Sequence, residues 1–294
     1  MTILSVNGLS KRYGAITALR DVSFEVPQGA VFGILGPNGS GKTTLLGILM
    51  DVLKPNAGTF QWFGHVPTAD DRRRIGCLLE TPNFYHYLSA RRNLEITASI
   101  KGHGFGEIDA VLDRVGLLSR KDTDFSTFSL GMKQRLAIGA SLLGSPEVMV
   151  LDEPTNGLDP VGIAEIRELI KSLSREGKTI LMASHLLDEV EKVCTHMALL
   201  KKGELLTTGR VSDILAQGDI VECKAPAGAR DVLAAFPGVQ AVQTQDGLLE
   251  LVFAETGVSL GRINEYCFSH GIILEHLALK RKSLEARFLE LTQN

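Results

Sequence analysis

The sequence predicts an α/β protein with a mixed β-sheet, an antiparallel β portion, a helical segment and a small α+β domain at its C-terminal end. Continuous apolar runs at 31–35, 148–151 and 179–183 suit strands that are covered on both faces, and helix-favouring residues follow or separate them. Residues 22–26 alternate apolar and polar side chains, as a half-buried antiparallel strand does. The stretch 80–145 has a largely helical pattern.

The elements follow in order from the N-terminus. Residues 3–6 and 18–26 favour strands on either side of a turn at Gly14. Residues 43–53 favour a helix that ends before Pro55. A second helix near 161–175 connects the two later apolar strands, which indicates a parallel, covered sheet.

A weak domain boundary falls near residues 217–218, which divides the chain into domains 1–217 and 218–294. The second domain has the order β-α-β-β-α-β, which is typical of a split βαβ unit. Its predicted elements are strand 220–225, helix 229–236, strands 239–244 and 248–253, helix 256–269, strand 272–280 and helix 283–291.

Composition excludes several classes of protein. The chain has 294 residues, 44% hydrophobic and 22% charged, with a net charge of −3, so a nucleic-acid binder acting by bulk charge is not expected. The longest run without a charged residue, 26–41, is shorter than the roughly 20 residues of a membrane span, and we expect neither a span nor a secretory signal. The four cysteines form no CxxC pair, which favours reduced thiols in the cytosol over zinc binding.

A glycine-rich loop leaves the apolar strand 31–35 and opens the next helix. It matches the pattern G-x-x-x-x-G-K-[ST], and its residues are Gly36, Pro37, Asn38, Gly39, Ser40, Gly41, Lys42 and Thr43, followed by Thr44. Backbone N–H groups of such a loop surround phosphate oxygens, the lysine reaches the β- and γ-phosphates, and the Thr43 hydroxyl can ligate Mg²⁺. The alternative is a glycine-rich turn before a helix, but the flanking strand and helix favour a nucleotide site.

A second motif, 148–153, is an apolar strand that ends in two acids. A carboxylate at the C-terminal end of a parallel strand faces the crevice where ligands bind. Asp152 is placed to hold Mg²⁺ through water, and Glu153 to polarise the attacking water as a general base. An acidic pair in a loop is the alternative, which the neighbouring phosphate loop disfavours.

Between these motifs lies 128–135, Phe-Ser-Leu-Gly-Met-Lys-Gln-Arg, which is similar to the signature L-S-G-G-Q-x-Q-R of the ATP-binding-cassette (ABC) ATPases. Pro154-Thr155 and Gly157-Leu158-Asp159 resemble the D-loop of that family, and Ser184-His185 its switch histidine. The resemblance covers about 3–215 in order and spacing, and it implies a P-loop ATPase that uses ATP and Mg²⁺.

The resemblance implies roles that each have a structural alternative. Tyr13 would stack on adenine or pack a hairpin, and His185 would contact the γ-phosphate or end a strand as a hydrogen-bonded histidine. Ser129 and Gly131 would hold the γ-phosphate of the opposite subunit's ATP, at a helix N-terminus that Ser129 also caps. One phosphate loop and one signature per chain imply that a second copy completes two sites.

This chain departs from the signature at Phe128, Leu130 and Met132, where the family has Leu, Gly and Gln. Leu130 replaces a residue of free backbone torsion, so the loop is expected to sit differently against phosphate. In the segment that resembles the Q-loop, Glu80 stands where Gln is common and is assigned to the metal and the nucleotide.

Together with the ending 283–292, these departures resemble one branch of the family, the ATPase subunits of bacitracin-type and other bacterial exporters. In that branch a separate membrane permease forms the pathway, which implies a cytoplasmic subunit held peripherally on the inner face of the membrane. The aromatic run 83–88 is expected to contact the permease or to pack inside the helical subdomain, at about 80–145 of the ATP-binding domain 1–217. An import ATPase and a non-transport ABC ATPase are the alternatives.

Overall fold

The computed structural model describes residues 1–79, 83–215, 218–226, 228–245, 247–280, 284–285 and 288. The chain forms two compact units, residues 1–209 and 210–294. This division lies a few residues before the boundary predicted at 217, and the assignment of domain roles remains a prediction. Within the described residues, no helix combines the length and the apolar character needed to cross a membrane.

The first unit begins with a three-stranded antiparallel sheet in the order β2-β1-β4. Its strands are β1 (Thr2–Tyr13), β2 (Ile16–Pro27) and β4 (Ala57–Trp62). Alternate residues of β2, such as Val22, Phe24 and Val26, are buried while their neighbours are exposed. The predicted antiparallel portion is therefore confirmed, and it runs through longer strands than the sequence indicated.

The second sheet of this unit has six strands in the order β5-β6-β7-β3-β8-β9, and the neighbours from β5 to β8 pair in parallel. Its strands are β3 (Val31–Leu35), β5 (Ile75–Leu78), β6 (Val148–Asp152), β7 (Thr179–Ser184), β8 (His196–Lys201) and β9 (Glu204–Arg210). Every residue of β3, β6 and β7 is buried, as the continuous apolar runs predicted. The predicted α/β class is confirmed.

Helices connect these strands. They are α1 (Lys42–Leu49), α2 (Ala69–Arg73), α3 (Ala90–Lys101), α4 (Ile108–Arg114), α5 (Leu130–Leu142), α6 (Pro160–Arg175) and α7 (Leu187–Val193). Helix α1 ends at Leu49, before the predicted end at 53, because the amides of Val52 and Leu53 both turn back to the carbonyl of Gly47. Helices α3 to α5, with short 3₁₀ turns between them, form the predicted helical segment.

The second unit is a four-stranded antiparallel sheet in the order β11-β12-β10-β13, with helices α9 and α10. Buried side chains of strands and helices, including Val221, Leu251 and Ile263, share one core. Its elements are α8 (Val211–Leu215), β10 (Ile220–Lys224), α9 (Ala229–Ala234), β11 (Val239–Gln245), β12 (Leu248–Phe253), α10 (Leu260–Ser269) and β13 (His276–Lys280).

Two predictions for this unit need correction. Helix α10 begins at Leu260 and not at 256, because Ser259 caps it by accepting a hydrogen bond from the backbone N–H of Arg262. Strand β13 begins at His276 and not at 272, because the amide of Ile272 still bonds the carbonyl of Cys267 at the end of α10. Most of the predicted helix 283–291 lies outside the described residues.

Candidate nucleotide site

The phosphate loop connects the central strand β3 to α1, and close approach of other backbone requires its glycines. A Cβ at Gly36 would lie 2.3 Å from the carbonyl oxygen of Leu200, and one at Gly41 would lie 2.5 Å from that of Ala18. Gly41 also has a φ of +106°, which L side chains rarely adopt. The first N–H groups of an α-helix have no partner within the helix, so the start of α1 directly after this loop offers donors that suit an anion.

Lys42, the first residue of α1, lies in the loop itself. Its side chain is only 6% exposed, and its Nζ donates hydrogen bonds to the carbonyls of Gly36 at 2.8 Å and Pro37 at 3.3 Å. The same ammonium lies 3.3 Å from Oε1 of Glu153. The loop therefore holds a buried positive charge against a carboxylate from another strand.

Glu153 follows the last residue of β6, and its second carboxylate oxygen lies 2.8 Å from Nδ1 of His185. The sheet order explains this meeting: Asp152 on β6 pairs with Ala183 on β7, so the C-terminal ends of these parallel strands coincide. Glu153 has a φ of +47°, a conformation that costs a non-glycine residue about 1–3 kcal/mol and persists only where the surroundings hold it. Its amide donates to the carbonyl of Ala183 at 3.0 Å, and Lys42 and His185 hold its side chain.

The other polar side chains of the loop and of the acidic strand show whether the site suits a nucleotide with its metal ion. The hydroxyls of Ser40 and Thr155 are buried and have no hydrogen-bond partner within the described part of the chain. Both can donate to phosphate oxygens or to metal-bound water. Asp152 is buried at the end of β6, and Thr43 is exposed at the start of α1. The donor set of hydroxyls, ammonium and carboxylates fits a Mg²⁺–nucleotide.

Thr155 is a residue that the sequence analysis quoted in the D-loop but did not assign to the site. Its burial and its unpartnered hydroxyl, two positions after Glu153, mark it here. Its place in the motif that directly follows Glu153 was the signal that could have found it.

The signature residues form a separate surface. Ser129 caps α5, because its Oγ accepts a hydrogen bond from the N–H of Met132 at 3.3 Å. A Cβ at Gly131 would meet nothing within 4 Å, so this residue lies in open space. Phe128, a departure from the signature, is buried and packs on Phe125 with 6.0 Å between the ring centroids. No contact in the described residues joins Ser129 or Gly131 to the phosphate loop of the same chain.

Tyr13 lies in the N-terminal hairpin. It ends β1, pairs with Ile16 across the hairpin, and exposes its ring. The ammonium of Lys11 lies 5.2 Å from the centroid of that ring, and among the described residues no hydrogen bond, ion pair or ring contact joins Tyr13 to the phosphate loop. Glu80 and its two successors lie outside the described residues.

The aromatic run after position 82 divides between core and surface. Phe84 packs edge-on against Phe125, at 5.2 Å between ring centroids. Tyr85 and Tyr87 are 51% and 74% exposed and contact each other. A pocket of about 350 Å³ lies beside them, lined by Asn83, Phe84, Tyr85, Asn93, Ile96, Thr97 and Ile100. The side chain of Asn93 fixes one wall by bonding both the N–H and the carbonyl of Tyr85.

Residues 19–156 match a protein family described as ABC transporter. The chain is 44% identical over 70% of its length to the bacitracin transport ATP-binding protein BcrA of Bacillus licheniformis, of which 69% is covered. It is 33% identical over 98% of its length to the protein of the same name from Enterococcus faecalis, of which 96% is covered. A solved structure described as the dimeric, post-hydrolysis state of the ATP-binding cassette MJ0796 with ADP and Pi is also similar, with a TM-score of 0.63 and 26% identity over 71% of this chain and 99% of that one.

Proposed function

The chain belongs to the ABC transporter family and is an ATP-binding, ATP-hydrolysing subunit, and from that premise we propose that it powers an exporter as an ATP-dependent homodimer attached to a separate membrane permease. The observation that carries this proposal is the contact of one carboxylate, Glu153, with both Lys42 and His185 at the C-terminal edge of a parallel sheet.

The proposed hydrolysis follows from this geometry. Lys42 binds the β- and γ-phosphates in the loop formed by residues 36–44, and Glu153 accepts a proton from the attacking water. As the water oxygen bonds to the γ-phosphorus, the bond from that phosphorus to the bridging oxygen breaks, and ADP leaves with phosphate. His185 holds the carboxylate in place through its Nδ1 and is proposed to contact the γ-phosphate.

Mg²⁺ is the metal that the donor set of this site fits. Thr43 and Asp152 would hold it, with Glu80 as the third residue that the sequence assigns to it. The ion, when bound, neutralises charge on the phosphate oxygens. Ser40 and Thr155 carry buried hydroxyls that donate to the same oxygens or to water.

A second copy is proposed because the two halves of a complete site, the phosphate loop with Glu153 and the signature residues, are not joined within one chain. We call these two groups of residues half-sites. Ser129 lies at the exposed N-terminus of α5, a Cβ on Gly131 would meet nothing within 4 Å, and among the described residues no hydrogen bond joins either to the phosphate loop of their own chain. In the homodimer each pair would contact the γ-phosphate held by the partner, and Tyr13 would stack on the adenine of its own site. The similar cassette MJ0796, described as dimeric with ADP and Pi, supports this arrangement.

The test is size-exclusion chromatography with light scattering on the Glu153→Gln variant, with and without ATP and Mg²⁺. Glutamine keeps the shape of the side chain but cannot accept the proton, so turnover should fall by about 10²-fold or more. The variant should bind ATP and shift from monomer to dimer only when ATP is present. Glu255→Gln, at an exposed carboxylate of the second unit, should behave as the unaltered protein. A Glu153→Gln protein that keeps most of its hydrolysis, or binds ATP and stays monomeric, contradicts the proposal.

The export direction is supported by the bacitracin transport proteins to which the chain is similar. Tyr85 and Tyr87, beside the pocket in the helical segment, are proposed to contact a helix of the permease. Replacing both with Ser should leave basal ATP hydrolysis unchanged and weaken co-purification with a membrane protein encoded next to this chain. Phe268→Ser, at another exposed aromatic residue, serves as the control. Undiminished co-purification of the Tyr85→Ser/Tyr87→Ser protein would contradict this contact.

A further inference from the structure

Leu130 stands where the similar signature has glycine, and its side chain lies against a different functional loop. Its Cδ2 is 3.2 Å from the position that a Cβ on Gly157 would occupy, so the methyl group fills the space beside Gly157. Gly157 itself has a φ of +73° and offers no side chain of its own. The Leu130 side chain is otherwise half-exposed, at 47%. A glycine at position 130 would leave this contact unmade.

Gly157 belongs to the segment 153–159, which we call the base loop because it begins at Glu153. Internal hydrogen bonds make it compact: the amide of Asn156 donates to the carbonyl of Glu153 at 3.1 Å, and that of Leu158 to the carbonyl of Thr155 at 3.3 Å. Its far end is fixed, because Asp159 caps α6 by accepting from the amide of Gly162 at 2.8 Å. A displacement of Gly157 therefore also displaces Glu153, because only a few residues of one compact loop separate them.

Glu153 needs such support because its backbone is in the left-handed region, at a φ of +47°. A loop that holds a strained residue relaxes when a contact is lost, and a misplaced general base transfers a proton less well. We propose that Leu130 is a positioning residue for hydrolysis: it holds the base loop of its own chain in place against the first turn of α5. This inference rests on the proposed function, in which Glu153 is the base.

The contact also defines a path between the two proposed half-sites of one chain. Ser129 and Gly131 flank Leu130 and are proposed to meet the nucleotide of the partner, whereas Glu153 serves the nucleotide of its own chain.

The experiment compares Leu130→Gly with Leu130→Met in the full chain by steady-state ATP hydrolysis. Leu130→Gly should lower kcat by about 10-fold, since misplacing a reacting group by a fraction of an ångström has effects of this order. The KM for ATP should change less than about twofold, because Leu130 does not hold the nucleotide in its own site. Leu130→Met, which restores an apolar side chain of similar volume, should recover kcat. Ile273→Gly, which removes an exposed apolar side chain of the second unit, outside the proposed site, is the control and should not reproduce the loss.

A double-mutant cycle isolates the contact. Gly157→Ala introduces a Cβ 3.2 Å from the Leu130 methyl group, together with strain from the positive φ that is the same in both backgrounds. It should therefore lower kcat less in Leu130→Gly than in the unaltered chain, and additive effects would overturn the proposal.

A final arm separates this inference from the proposed function. The double variant Leu130→Gly/Glu153→Gln should still dimerise with ATP as Glu153→Gln does. If Glu153→Gln alone does not dimerise, the proposed homodimer is contradicted. If Glu153→Gln dimerises and the double variant does not, Leu130 is required for dimerisation and its positioning role is overturned. An unchanged or increased kcat in Leu130→Gly, while Glu153→Gln behaves as expected, overturns the positioning role alone.

Discussion

The two compact units of this chain differ in the types of residue that adopt a left-handed backbone conformation. Among the described residues of the first unit, six that are not glycine have positive φ: Asp21, Asp51, Phe63, Ser145, Glu153 and Lys202. Among the described residues of the second unit, only glycines do: Gly218, Gly228, Gly238, Gly247, Gly257 and Gly271. Glycine is the residue that accepts this conformation at least cost. The described part of the second unit therefore follows this backbone preference, whereas the first unit departs from it at six positions, one of which is the proposed general base Glu153.

Charged side chains show the same contrast. In the second unit, Glu222 and Glu250 face each other across β10 and β12, and each has a partner on β13: His276 contacts Glu222, and Lys280 contacts Glu250. Each of these carboxylates therefore has a side-chain partner on a neighbouring strand of the same sheet. In the first unit the buried Lys42 bonds loop carbonyls and Glu153, and unpartnered hydroxyls lie close by in sequence. The charged side chains of the second unit are thus paired within one sheet, whereas those of the proposed site follow the ends of three different strands, β3, β6 and β7.

The largest expected effect tests whether the cores are independent. Leu251 is fully buried in the core of the second unit, so Leu251→Ala should lower the free energy of unfolding of that unit by about 2–5 kcal/mol. Hydrogen exchange of residues 220–280 should accelerate in the full chain, while exchange in β3, β6 and β7 should not. ATP-dependent dimerisation in the Glu153→Gln background should be unchanged, and Leu251→Ile is the conservative control. Loss of dimerisation under conditions where both units remain folded would remove this distinction between the units.

A smaller effect on stability is expected when either of two serine helix caps is removed. Ser129 caps α5 in the first unit and Ser259 caps α10 in the second, through hydrogen bonds of 3.3 and 3.4 Å. Replacing either with Ala should lower the free energy of unfolding by about 1 kcal/mol, measured by urea denaturation. Only Ser129→Ala should also weaken ATP-dependent dimerisation in the Glu153→Gln background, since only this cap is proposed to contact a nucleotide. Equal dimerisation of the two variants would mean that Ser129 is a cap and nothing more.

Much of the fold followed from the sequence because its signals are local. The apolar runs predicted β3, β6 and β7, and each is fully buried. The serine before α5 predicted a capped helix start, which the Ser129 hydrogen bond confirms. Element ends were less accurate: α1 stops early where the chain turns back on Gly47, and α10 starts late at the Ser259 cap. Such ends depend on which amide finds which carbonyl, and composition does not determine that.

By itself, the sequence determined the phosphate loop, the acidic strand end and the signature-like segment, because each is a contiguous run whose residue types dictate its local conformation and chemistry. The tertiary structure decided which of these residues meet. The strand order β6-β7-β3 brings Glu153, His185 and Lys42 together from positions far apart in the chain. It also decided that Leu130 rests on Gly157. Strand order and side-chain contacts between distant segments arise from packing the whole core, so no local pattern in the sequence specifies them.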